Sequence, residues 1–425
     1  MRTRHTWVLF ISALLTAGCG VCGQIIQHRE TFESGYKASS ETSDEPTPHL
    51  RLTIPKGYVE GWERRALATL PPSAMSIPGL GDLGRHLGNL ELKPRKVALQ
   101  AVKGGVRVGI DLDVRRAGKT LFGLDLSAQA PTRYDAERGR LTVDVRADLF
   151  QSVKPRIRGD AVSAISDAIR DALPKTMWRL IPRKRIDRIA KKTVEHLITD
   201  AYKQLRGAVL TKLGRLTSFG ISIPRLPLAD LTLSTHNGHW LVDIQGDFEA
   251  RGLSAPIKVH QGLIRLDVSA FALARMGNWA MDEGHLPARY TEEGRASSSG
   301  AYRAGLAWAT KGRPVKVHLW SASPEDAAVC VRVMAGGQAR LSYKKSALKV
   351  GFSDVQIEEA VGPPLFESAL NVLGITERVF NYTKTIAVDS RLKLGEQETN
   401  FALEGAEIRG DVVTFELRPA DRRGR

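Results

Sequence analysis

The sequence predicts an α+β fold of two tandem modules, each combining antiparallel strands with a long amphipathic helix. Three observations carry this expectation. A short strand followed by a helix-length segment occurs twice, over residues 49–70 and again over 263–284, and each copy stops at a Leu-Pro step (Leu70-Pro71 and Leu286-Pro287). Between Val106 and Leu149 apolar and polar residues alternate strictly, which marks strands with one buried and one wet face. After Ala161 the apolar period changes to 3.6, the period of a helix. An internal repeat at this spacing is the most informative signal in the chain. The 425 residues allow two or three domains. A chain that is 42% hydrophobic and 25% charged is neither wholly disordered nor a multispanning membrane protein. The formal charge of +16 calls for an anionic neighbour: nucleic acid, phospholipid headgroups or acidic polysaccharide.

Arg2 and Arg4 precede an apolar run from Trp7 to Leu15, a basic region followed by a short hydrophobic one, as in a secretory signal peptide. The run falls short of the roughly 20 apolar residues that a membrane span needs. Leu15-Thr16-Ala17-Gly18-Cys19 then resembles the lipobox of bacterial lipoproteins, with the large apolar residue one place early. That resemblance implies cleavage before Cys19 and acylation of its thiol. Gly20, in place of an aspartate, implies outer-membrane sorting facing the periplasm. Export removes nucleic acid from the candidate partners. Residues 24–49 are polar and rich in Ser, Thr, Glu and Pro, and the segment 19–48 reads as a disordered tether. Cys22 and Cys330 either pair in an oxidising compartment or stand as unrelated thiols.

In the first copy, His49 to Ile54 reads as a strand and Tyr58 to Leu70 as a helix carrying Trp62. The meander follows. Val106, Val108, Ile110, Leu112 and Val114 share one face of a strand, then Leu124, Leu126 and Ala128, then Leu141, Val143, Val145, Ala147 and Leu149. Short turns at Lys103-Gly104-Gly105, Ala117-Gly118-Lys119 and Glu137-Arg138-Gly139 make the sheet antiparallel. Ala161, Ile165, Ala168, Ile169 and Leu173 form a helical stripe, interrupted at Pro174 and Pro182. A longer helix is expected from Lys184 to Leu216, with Ile186, Ile189, Ala190, Val194, Leu197, Ala201, Leu205, Val209 and Leu213 on its apolar face. A hairpin closes the copy, with Leu231 and Leu233 before His236-Asn237-Gly238-His239 and Trp240, Val242 and Ile244 after it. Asn-Gly at its centre signals a type I′ turn.

The second copy repeats this order. Leu263 to Val268 is its strand and Phe271 to Gly284 its helix, with Trp279. The polar residues 295–300 read as a loop. Strands are expected at residues 315–319, 329–333, 341–343 and 348–352, a helix at 364–380, and closing strands at 386–388, 392–394, 401–403 and 413–417.

This repeated order of elements resembles the tubular lipid-binding (TULIP) superfamily, in the tandem-module form of the bactericidal/permeability-increasing branch. The resemblance covers residues 48–418 and rests on element order, not on a motif. It implies that each module is a curved antiparallel sheet wrapped around its long helix, around a lumen that takes acyl chains, with no catalytic residues. Vertebrate members carry a disulfide in the first module. Here no cysteine lies between Cys22 and Cys330, which implies kinship with bacterial members. The resulting division is a signal peptide at 1–18, the tether at 19–48, a first module at 49–255, a second at 256–420 and a basic tail at 421–425. Val106, Val108, Ile110, Leu112, Leu124, Leu126, Val143, Val145, Leu197 and Leu205 are the expected lumen residues. The other reading of the same pattern is a filled core, since alternation shows which residues face inward and not what fills the space.

The remaining signals are local. Gly79-Leu80-Gly81-Asp82-Leu83-Gly84 matches a dinucleotide fingerprint but lacks the strand–turn–helix context that chemistry requires. His236 and His239 flank the Asn-Gly turn and could approach a metal with Asp243, but two histidines at a hairpin tip are most simply solvated turn residues, since a closed zinc site wants four ligands. No GxSxG or HExxH occurs, so neither an enzyme nor a metal or organic cofactor is expected. Lys175 to Lys192 carries Lys175, Arg179, Arg183, Lys184, Arg185, Arg188, Lys191 and Lys192 against one acid, Asp187, with Trp178, Leu180 and Ile181 interleaved. Cations amid apolar residues suit an anionic headgroup or glycan surface, in particular through Arg179, Arg183, Lys184, Arg185, Arg188 and Lys191. The plainer reading is a solvated helix start. The function expected is a membrane-anchored envelope protein that binds or transfers a lipid or other apolar ligand. The alternative is a non-catalytic envelope scaffold that binds proteins or acidic glycans.

Overall fold

β1 (Leu50–Ile54) lies antiparallel to β11 (Ile264–Ser269), which joins the two copies of the repeated strand edge to edge. The register sets Leu50 against Val268, Leu52 against Leu266 and Thr53 against Arg265. Leu52 and Leu266 occupy equivalent positions of the repeat read from the sequence, and the antiparallel register sets them opposite each other. The structure is a computed structural model. It describes residues 21–34, 47–68, 70, 72–75, 90–135, 140–143, 156–172, 181–204, 219–222, 228–253, 262–291, 294–321, 330–344, 347–362, 384–387, 390–394 and 397–419.

Each outer edge of the central pair takes the closing hairpin of its own copy. β1 pairs with β10 (His239–Gly246), which pairs back with β9 (Leu228–His236). β11 pairs with β20 (Val412–Pro419), which pairs back with β19 (Gln397–Arg409). The turn between β9 and β10 has the expected chemistry: Asn237 and Gly238 both adopt positive φ, 51° and 80°. The helices of the repeat follow their strands directly, α2 (Lys56–Ala68) after β1 and α5 (Ala270–Asp282) after β11. Each is fastened to the next part of its copy by a side chain that satisfies strand backbone. Glu63 of α2 accepts the Leu99 N–H at 2.8 Å. Asn278 of α5 accepts the Leu306 N–H at 2.7 Å and donates to its carbonyl at 2.8 Å.

The first meander comprises β2 (Ser73–Met75), β3 (Leu90–Val102), β4 (Gly105–Arg116), β5 (Lys119–Asp135) and β6 (Arg140–Val143), all antiparallel, with β7 (Arg156–Arg158) beside β5. The sequence reading did not anticipate β3. The register of β3 against β4 shifts between Pro94 and Lys96, so the buried positions change phase from Leu92 to Val97, Leu99 and Ala101. A bulge of this kind destroys the period-two signal while keeping the strand. The inward residues of β4 and β5 face α3 (Ala161–Ala172) and α4 (Arg183–Gln204), which bury Ile165, Ala168 and Ile169, and Ile186, Ala190 and Val194, in the same core. Asp160 caps α3 by accepting the Ser163 N–H at 2.9 Å.

A second, six-stranded antiparallel sheet comprises β12 (Arg289–Tyr290), β13 (Tyr302–Trp308), β14 (Val315–Ser321), β15 (Arg332–Lys344), β16 (Ala347–Val361) and β17 (Lys384–Ala387). β13 was likewise not expected from the sequence. The larger, fourteen-stranded sheet runs from β2 to β6, through β8 (Phe219–Ser222) and β18 (Ser390–Leu394), to the central strands. The chain is thus mixed α+β, with mostly antiparallel sheets and five helices among the described residues.

The disordered tether expected at residues 19–48 needs correction. Residues 21–34 form a helix, α1, and Cys22 is bonded to Cys330, with the two Cα atoms 5.3 Å apart. The polar composition hid a helical face: Cys22, Ile25 and Phe32 lie at helix spacing, and Ile25 is buried. The signal segment with Cys19, the fingerprint at 79–84, the helix expected at 364–380 and the basic tail lie outside the described residues. So does the long helix beyond Gln204.

Candidate functional site

The interior of the β4–β5 meander is apolar. Val106, Val108, Ile110, Leu112, Leu124, Leu126 and Val143 are all buried and belong to one continuous apolar cluster with α3 and α4. The pleat places them there: positions two apart on β4 share the inner face, and β5 sets Leu126 opposite Ile110 and Leu124 opposite Leu112. Their outward neighbours Asp113 and Asp125 meet Arg158 of β7, which also donates to the Leu112 carbonyl at 3.4 Å. This polar outer layer fixes which face turns inward. Val145 and Leu205 lie outside the described residues, and Leu197 sits on α4 with its side chain undescribed.

α4 carries the basic stretch on its outer side. Arg183, Lys184, Arg185, Arg188 and Lys191 are exposed, while Ile186, Ala190 and Val194 point to the core. Asp187, the lone acid there, is turned toward α3, where Ser166 donates to its carboxylate at 2.9 Å. The outward face of this segment is therefore cationic. Arg179 lies outside the described residues.

A cleft of about 520 Å³ opens beside the central pair, within the size range of small-molecule sites. Its walls are Glu249 to Arg251 after β10, Phe271, Ala274 and Arg275 on α5, and Leu306 to Trp308 on β13. Two buried groups place the first wall. His49 accepts the Gly246 N–H on Nδ1 at 2.9 Å, and its Nε2 meets the Ala250 carbonyl at 3.0 Å, which makes Nε2 the protonated nitrogen. Phe248 stacks on this ring at 4.9 Å, and burial holds the imidazole below its usual pKa. Ser269 donates to the Arg251 carbonyl at 2.5 Å and accepts the Ala272 N–H as the N-cap of α5. The Arg251 guanidinium lies 5.9 Å from the Phe271 ring centre and that of Arg275 lies 5.8 Å from the Phe32 ring centre, so cations and aromatic rings share the rim. The sequence reading missed this cleft, because its residues come from three distant segments.

The sequence also missed a cluster under α1. His318 and Trp320 project from one face of β14, stacked with ring centres 5.3 Å apart. Phe32 lies 4.9 Å from each, and Trp320 Nε1 donates to His28 Nδ1 at 3.2 Å. Arg303 pairs with Glu33 at 2.5 Å. Burial, with the charges of His28, Arg332 and Lys316, pushes the His318 imidazole down to about 4. The alternation of His318 and Trp320 was visible; their partner helix was not.

His236, His239 and Asp243 do not converge. His239 Nδ1 accepts the Lys56 N–H at 3.1 Å, and Asp243 is held by Arg51 at 2.6 and 3.1 Å. Among the described residues no group of three or more His, Cys, Asp or Glu is placed to hold a metal ion, and no helix is long and apolar enough to cross a membrane.

No protein-family model matches the sequence, and no curated protein matches it. Among solved structures, the chain is similar to P47 of Clostridium botulinum E1, with a TM-score of 0.46, 7% identity, and coverage of 88% of this chain and 100% of that one. It is similar to P47 from Clostridium botulinum A2, with a TM-score of 0.41, 8% identity, and coverage of 88% and 97%. A lipopolysaccharide binding protein is similar at a TM-score of 0.28 and 13% identity, with coverage of 89% and 100%. Likenesses at these levels support no inference about ligand.

Proposed function

We propose that the protein is a non-catalytic, lipid-anchored component of the bacterial cell envelope, on the outer membrane facing the periplasm. In this reading it holds the acyl chains of a lipid or other apolar ligand inside two tandem modules, each a curved antiparallel sheet wrapped around a long amphipathic helix. The observation that carries the reading is the aliphatic inner face of β4 and β5, set against the apolar stripes of α3 and α4. A face built from Val, Ile, Leu, Ala and Phe122 side chains offers an acyl chain no polar competitor. Burying several hundred Å² of that chain is worth several kcal/mol at roughly 25 cal/mol per Å². The pairing of Leu52 with Leu266 supports a duplicated unit. The bond between Cys22 and Cys330 suits an oxidising compartment. The cationic side of α4 suits anionic headgroups, each nearby cation gaining roughly 1 kcal/mol at such a surface. The cleft beside Arg251, Phe271 and Trp308 suits the head of an acidic amphiphile.

A second reading, an envelope scaffold for proteins or acidic glycans, is favoured by one observation: the same inner-face residues close into a continuous core. Solvent extraction and lipid mass spectrometry of the protein purified from its own membrane separates the two. Lipid at a fixed molar ratio to protein is expected. Its absence from repeated preparations overturns lipid holding in favour of the scaffold.

A further inference from the structure

α1 does more than lead into the fold. Its start is covalently tied to Cys330, two residues before the start of β15, and its body packs on the His318 and Trp320 face of the six-stranded sheet. Ile25 is buried, His28 accepts the Trp320 N–H, and Glu33 meets Arg303. In the lipid-anchored reading the chain ahead of this helix begins at Cys19 and is short. Cys19 precedes Cys22 by three residues, at most about 11 Å of extended chain. With 5.3 Å between the Cα atoms of the disulfide, Cys330 stays within about 16 Å of Cys19. A free tether from Cys19 to His49 would instead have an end-to-end distance on the order of 30 Å and would leave the body unoriented.

We propose that the Cys22–Cys330 bond turns the N-terminal anchor into a short, rigid mount that seats the Cys330 end of the six-stranded sheet against the phospholipid surface. The occupant of this face is the bilayer itself, and the chain length from Cys19 selects it. Val21, next to the bonded cysteine in sequence, is an exposed apolar side chain. The opposite end of the sheet points away. Trp320 pairs with Arg332 beside Cys330, whereas Val315 pairs with Gly337, so β14 separates the two ends by roughly 17 Å. This proposal rests on the lipid-anchored reading above.

The test uses the full-length, membrane-derived protein in liposomes with an acceptor dye on the lipid headgroup. A donor is introduced by an encoded residue either at Ala360, which pairs with Val333 near the mount, or at Lys311, beyond the far end of β14. Energy transfer from Ala360 is expected to exceed that from Lys311 several-fold. In the Cys22→Ser, Cys330→Ser double variant the difference is expected to collapse. Equal transfer from both positions, or a difference unchanged in the double variant, overturns the mount. Intact mass is read on every sample. An N-terminus without acyl chains overturns the anchored reading itself, whereas an acylated protein with equal transfer overturns only the mount.

Discussion

Acid is predicted to loosen the attachment of α1 through one residue. The His318 imidazole is buried between Phe32 and Trp320, with its Nδ1 lacking a hydrogen-bond partner among the described residues. Lys316 and Arg332 also disfavour its charged form, so its pKa falls from 6.5 to about 4. When α1 leaves, the ring meets water and returns toward its ordinary value. Between those two pKa values the unfolded or undocked state therefore binds more protons than the native state. Stability is complete above about pH 6.5, declines as the pH falls toward about 4, and loses nothing further from this group below that. The shift is worth about 3 kcal/mol across the window at about 1.4 kcal/mol per unit. His28 acts in the same direction, since its pKa is also lowered by burial and by Arg332, and protonation at Nδ1 ends its bond from Trp320. The assay compares wild type with His318→Phe, which keeps an aromatic ring and removes the titration. Denaturation midpoints are read from about pH 7.5 to 4, with amide exchange over residues 21–34 in the same samples. The wild type is expected to lose about 3 kcal/mol more than the variant, with faster exchange in α1. Parallel stability profiles for the two proteins would refute the reasoning.

Other perturbations probe the core, the central pair and the charged face. Ile110→Ala empties a fully buried site between β4 and the helices and is expected to cost about 2–5 kcal/mol in chemical denaturation. Asp267→Ala strands the buried Arg265 guanidinium, which otherwise bonds the Asp267 carboxylate at 2.8 and 2.9 Å and Thr414 at 3.1 Å; a loss of about 3–5 kcal/mol is expected. Replacing both residues with apolar ones of similar size should recover much of that loss, since the pair stabilises little beyond its own desolvation cost. Reversing Lys184, Arg185 and Arg188 to Glu is expected to reduce binding of the protein to vesicles rich in anionic phospholipid, with the melting temperature little changed. Equal binding in a co-sedimentation assay would remove α4 from the membrane-facing surface.

How far the sequence could be read follows from where its periodicities survive. β4 keeps an unbroken alternation from Val106 to Val114, and the buried set read from it is the set observed. The hairpin at Asn237-Gly238 was legible because its turn demands those two residues. β3 was not, because the shift at Pro94 moves the buried positions to the other parity. α1 was obscured by its composition: the apolar face consists of few residues, and its stability comes from a disulfide and a sheet far along the chain. The cleft depends on tertiary contacts among residues near 250, 273 and 307, which no local pattern encodes. The repeated strand was legible in the sequence, but only the register of β1 against β11 sets Leu52 opposite Leu266.

The central claim is that the inner face of β4 and β5 touches acyl chains. The direct measurement is photocrosslinking from Leu124, replaced by a photoreactive leucine analogue, in protein irradiated in its native membrane. The account predicts lipid-mass adducts on the peptide carrying residue 124, and none when the same analogue replaces the outward Asp111. Adducts only to neighbouring core side chains, with no lipid at position 124, would contradict it.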